Sequence, residues 1–96
     1  MRPFADRLIQ ACRAKGAPLC VGRDPRPDWL PPAVLEGRKP TPRGQAAAFE
    51  AFGDGVIGAV AGHAAALKVN IAFYERLGVA GMRAYARTLR RARRAK

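Results

Sequence analysis

What the sequence lacks narrows its function before anything it contains does. There are two cysteines, Cys12 and Cys20, without Cys-x-x-Cys spacing, and one histidine, His63. No metal site can be assembled from that set by ligand spacing, and both thiols are expected to be free in a reducing cytosol. There is no Gly-x-Gly-x-x-Gly, no Walker loop and no nucleophile elbow. No apolar run approaches the length of a membrane span. The opening Met1-Arg2-Pro3-Phe4-Ala5-Asp6 has none of the apolar core of a signal peptide. The expected location is therefore cytoplasmic, with no membrane partner. Acidic residues are also few: seven Asp and Glu stand against eighteen Lys and Arg, a net charge of +11. Such a balance raises nucleic acid or an anionic surface as a partner. Placement argues against it, because much of the excess sits in the last turns and Arg-, Ala-, Gly- and Pro-rich usage is a general bias. At 96 residues the chain is one small domain or part of a larger one, with a thin core that removes only about 60–65% of the unfolded surface from water.

What is present is organised around Ala66-Leu67-Lys68-Val69-Asn70-Ile71-Ala72, an apolar, β-branched run of strand length. Alternation puts Leu67, Val69 and Ile71 on one face, and Lys68 and Asn70 between small alanines on the other. Helices are expected over the first face and a polar cavity over the second, as on an inner strand of a parallel α/β barrel. The competing reading is an edge strand with a solvated lysine.

The remaining elements follow in order. Residues 4–15 read as an amphipathic helix with Phe4, Leu8 and Ala11/Cys12 on one stripe, ending at Gly16. It is expected to pack as a lid on something larger. Residues 19–24 read as a strand, with Cys20, Gly22 and Asp24 sharing a face and Leu19, Val21 and Arg23 the other. Asp24 then ends a strand, though Asp-Pro is equally a turn opener. Residues 25–42 read as a Pro-rich loop with room for one helical turn at Ala33–Glu36, and Trp29 is expected to anchor it. Thr41-Pro42 resembles an N-cap and first helical residue, opening a helix over 43–64 with the stripe Phe49, Phe52, Val56, Val60. His63 continues that stripe and reads as an ordinary helix-end residue. A last helix over 79–95 follows Gly78 and Gly81. Its apolar stripe is Met82, Tyr85/Ala86 and Leu89, and Arg83, Arg87, Arg90 and Arg94 mark the opposite, solvated face. Two strands joined through a helix are expected to be parallel.

Neighbouring parallel strands lie about 4.8 Å apart, so Asp24 and Lys68 are expected to converge at one mouth as a charge pair. Such a pair can bind hydroxyls or orient another charge. It cannot by itself supply both an acid and a complementary base.

Two segments carry a specific resemblance. Leu19-Cys20-Val21-Gly22-Arg23-Asp24-Pro25 with Trp29-Leu30-Pro31 resembles the first-strand region of orotidine 5′-phosphate decarboxylase, and Lys68-Val69-Asn70-Ile71-Ala72-Phe73-Tyr74-Glu75 with Gly78 and Gly81 resembles the second-strand region of its bacterial type 2 branch. Phe4-Ala5-Asp6-Arg7-Leu8 is similar to the opening helix of that branch. The resemblance implies an incomplete (β/α)8 TIM barrel of α/β class, consisting of the opening helix and the first two β/α units of a single domain. It implies decarboxylation of orotidine 5′-phosphate to uridine 5′-phosphate without metal or cofactor. It also implies a homodimer for a complete family member. By the same resemblance Lys68 is catalytic, while Asp24, Lys68 and Asn70 contact the nucleotide substrate. The family's Asp-x-Lys-x-x-Asp motif, whose lysine protonates the product carbanion, is absent from these 96 residues, so the chain alone is expected to be inactive. Arg23 stands where the family usually has an aliphatic residue and must snorkel or find a partner. The alternatives are a related sugar-phosphate barrel decarboxylase or aldolase, and a small basic nucleic-acid-binding protein using Arg83–Lys96.

Overall fold

A strand pair sits at the centre of the protein. In the computed structural model, which describes residues 2–95, β1 (Cys20–Arg23) and β2 (Ala66–Val69) run parallel, with Cys20 opposite Ala66, Val21 opposite Leu67, Gly22 opposite Lys68 and Arg23 opposite Val69. The ladder goes one step further, because the Asn70 amide donates to the Arg23 carbonyl at 3.0 Å. The helices are α1 (Phe4–Lys15), α2 (Pro32–Leu35), α3 (Pro42–Val60), α4 (Ile71–Glu75) and α5 (Gly78–Ala95). The domain is therefore mixed α/β, with α3 carrying the chain from one parallel strand to the other.

α3 and α5 pack against each other and cover one face of the sheet. Thr41 caps α3, its hydroxyl accepting from the Gly44 amide at 3.1 Å, and Pro42 supplies the first helical φ. The buried line of α3 is Ala46, Phe49, Gly53 and Ile57. This corrects the expected stripe: Phe49 is central, while Phe52, Val56 and Val60 flank it half-buried. The helix ends at Val60 rather than 64, and His63 is exposed in the turn that follows.

The apolar stripe expected for α5 also needs correction. Its buried residues are Gly81, Ala84 and Thr88, whereas Met82 is 38% exposed. Large apolar side chains misled the periodicity, because the buried positions of α5 are held by small residues. Gly81 lies inside α5, not before it, and a Cβ there would collide with the Tyr74 carbonyl. Gly78 takes a left-handed φ of 65° where α4 gives way to α5, a conformation that glycine adopts without steric cost.

The second strand stops at Val69, three residues before the expected end. Asn70 turns the chain instead: its Oδ1 accepts from the Ala72 amide at 3.2 Å and caps α4. Ile71, expected on the apolar face of the strand, is 38% exposed on the new helix. Tyr74, one turn into α4, is fully buried and stacks edge-on against Phe49 (centroids 5.6 Å apart, 80°) and Tyr85 (5.5 Å, 62°).

The segment between β1 and α3 holds more structure than a loop. A 3-10 turn covers Pro27–Trp29 and α2 follows. Leu30, 7% exposed, anchors it to the core. Trp29 does not, being 65% exposed. The indole is stacked under the Arg26 guanidinium at 4.2 Å, and Arg26 is held in turn by Asp28 at 3.0 Å. α1 buries none of its residues, and Phe4 is 67% exposed. Lys15 ties it to the end of α3, its Nζ donating to the Ala61 carbonyl at 2.6 Å.

Candidate functional site

The face of the sheet that the helices leave open carries the residues singled out for chemistry. Cys20, Gly22 and Asp24 from β1 are exposed on it, as is Lys68 from β2. Lys68 stands opposite Gly22, and the space where a Gly22 side chain would lie holds no atom within 4 Å. The lysine stem can therefore lean across β1 without obstruction. Two residues on, Asp24 and Asn70 leave the strands at the same end. Parallel pairing brings Asp24 together with Lys68 and Asn70, which lie far from it in sequence, at the C-terminal ends of both strands.

The three are not locked to each other. Among the described residues, ion pairs join Arg26 to Asp28 and Arg87 to Glu50, and none joins Asp24 to Lys68 within 4.0 Å. The expected charge pair is thus two separate charges on one open face. Asn70 is partly committed: Oδ1 serves as the α4 cap, leaving the Nδ2 group as the end able to donate elsewhere. A carboxylate, an ammonium and an amide in this arrangement can hold a polyol through its hydroxyls. They provide no positioned acid beyond the ammonium.

Behind the open face lies a buried cation that the strand pattern flagged without placing. Arg23 points into the helix layer and is 3% exposed. Its Nη2 donates to the Phe49 carbonyl and to the Tyr74 hydroxyl, both at 3.3 Å, and the guanidinium lies 5.0 Å above the Phe52 ring. Nε has no partner. Gly53 makes the room, since a Cβ there would stand 3.2 Å from Nη2. Arg23 thus links the end of β1, next to Asp24, to α3 and to the helix that Asn70 caps. Sequence reading raised the need for a partner but missed Tyr74, whose only signal was its position one turn after a capping Asn and just before Gly78.

No family model matches the sequence, and no solved structure matches it. Curated relatives do. The chain is 42% identical over 86 residues to the orotidine 5′-phosphate decarboxylase of Rhodopirellula baltica, an overlap of 85% of this chain and 28% of the relative. It is 37% identical over 93 residues to that of Streptomyces coelicolor (97% of this chain, 31% of the relative) and 35% identical over 85 residues to that of Clostridium kluyveri (88% and 28%). By sequence the chain is thus a relative of the orotidine 5′-phosphate decarboxylases, matched along most of its own length and under a third of theirs.

Proposed function

We propose that these residues form the ribose-binding side of an orotidine 5′-phosphate decarboxylase, a carbon–carbon lyase of de novo pyrimidine synthesis. The observation that carries the reading is the register: Lys68 stands opposite the side-chain-free Gly22, with Asp24 and Asn70 two residues beyond, where strand alternation returns to the same open face. In this reading Asp24 accepts from the ribose hydroxyls. Lys68 donates to the sugar and steers a catalytic carboxylate that lies outside the 96 residues, and Asn70 donates through Nδ2. The strands are the first two of a (β/α)8 barrel forming a single domain, and the complete enzyme is a cytoplasmic homodimer. Neither metal nor cofactor takes part.

The 96 residues alone should not turn over substrate, because no proton donor is placed opposite Lys68. A chimera tests both halves of the proposal. Residues 4–95 replace the matching segment of the Rhodopirellula baltica enzyme, and conversion of orotidine to uridine monophosphate is followed by ultraviolet absorbance. The chimera should be active, and Lys68→Ala should lower its turnover by orders of magnitude. His63→Ala, on an exposed turn, should change it little. Equal losses from the two substitutions would refute the site.

A further inference from the structure

On the helix layer, away from the open face, α3 and α5 form a basic cleft that the decarboxylase reading does not use. It encloses about 190 Å³, floored by Ala46, Ala47 and Ala80 and walled by Arg43, Arg83 and Arg87. Its one carboxylate, Glu50, is already paired with Arg87 at 3.2 Å. The basic wall continues along α5 through Arg90 and Arg94, which are exposed like Arg83 and Arg87. α5 contains no acidic residue at all. From Arg83 to Arg94 the ridge extends about 16 Å.

A row of guanidiniums, all but Arg87 without an ion-pair partner among the described residues, beside a smooth alanine floor fits a chain of phosphates, each of which a planar fork can grip at two oxygens. A basic amphipathic helix can also lie on an anionic membrane, but only if its apolar face is free to enter the lipid. In α5 that face is occupied, since Gly81, Ala84 and Thr88 are buried within the fold. We infer that the Arg43–Arg83–Arg90–Arg94 surface binds the phosphate backbone of single-stranded nucleic acid without regard to sequence. No aromatic ring lines the cleft, so bases contribute neither stacking nor specificity. The inference does not depend on the decarboxylase reading, since it uses a different surface of the chain.

The test is fluorescence anisotropy of a labelled oligodeoxythymidine titrated with the full chain at several salt concentrations. Each phosphate neutralised on a single strand contributes about −0.7 to the slope of log K against log salt. The triple variant Arg83→Gln/Arg90→Gln/Arg94→Gln should flatten the slope by about 2 and weaken binding at least tenfold in low salt. The control Arg2→Gln/Arg7→Gln/Arg13→Gln removes the same net charge from α1 and the residues just before it and should leave both nearly unchanged. Circular dichroism melting verifies that each variant is folded, and single substitutions, each flattening the slope by about 0.7, replace a triple that is not. Equal weakening by the two triples would reduce the effect to net charge and overturn the site. Absence of binding at low salt overturns it too, as does stronger capture by phosphatidylserine vesicles at matched phosphate.

Discussion

The two faces of the β1–β2 sheet are made from alternating residues of the same two short strands, yet they obey opposite rules. One carries Val21, Arg23, Leu67 and Val69 under two helices and an aromatic cluster. The other carries Cys20, Gly22 and Lys68, which are exposed among the described residues. Period-two alternation lets a strand serve a packed layer and an open site with no compromise between them. The covered face is therefore where substitutions should change stability, and the open face where, apart from the α4 cap at Asn70, they should change function alone.

Five substitutions, in four tests, probe that division, beginning with the largest effect. Phe49→Ala, at a residue 1% exposed, should cost about 3–5 kcal/mol. Against a total of roughly 5–15 kcal/mol for a small domain, urea titration should find the variant largely unfolded. Next comes the pair Arg23 and Gly53. Gly53→Ala gains up to about 1 kcal/mol of helix propensity, but its methyl would meet Nη2 at 3.2 Å. It should destabilise the parent and stabilise the Arg23→Met background, so a double-mutant cycle should show coupling. Arg23→Met itself should leave stability within about 1 kcal/mol of the parent or above it, because a buried unpaired charge is exchanged for an apolar side chain of similar length. If the two substitutions simply add, the buried guanidinium is not what Gly53 accommodates. A third variant, Asn70→Ala, removes the α4 cap and should cost about 1 kcal/mol, read from the same urea curves. Smallest of all, Lys68→Ala should shift stability by less than about 0.5 kcal/mol, although it is expected to abolish turnover in the chimera. A large loss of stability from Lys68→Ala would erase the contrast between the faces.

Much of this division was legible in the sequence, because alternation is a property of the backbone and needs no knowledge of neighbours. Both strands and the shared face of Asp24, Lys68 and Asn70 follow from it, while the parallel direction follows from the connecting helix and the long α3 from its Thr41-Pro42 start. What escaped depended on side chains choosing among several partners. Asn70 fits a strand by pattern, yet its carboxamide caps a helix in competition with the ladder. The buried line of α5 was misplaced because Gly81, Ala84 and Thr88 give almost no hydrophobic signal, while Met82 and Leu89 give a strong one. Trp29 has the largest apolar surface in its loop, but a cation over its ring allows it to stay outside.

The parallel register also has a kinetic consequence. Cys20 and Ala66 pair with nearly half of the chain between them, so no ladder bond can form until that long segment has been drawn closed. Closing it costs entropy that the two four-residue strands do not recover by themselves. α3 lies inside the closed segment and shortens it by forming locally, which makes helix growth and its docking on α5 the natural early events. Asp24, Lys68 and Asn70 then meet only in the last step of folding. Slowing α3, for example by a further glycine at Ala47, should delay the appearance of the site more than it lowers the final stability.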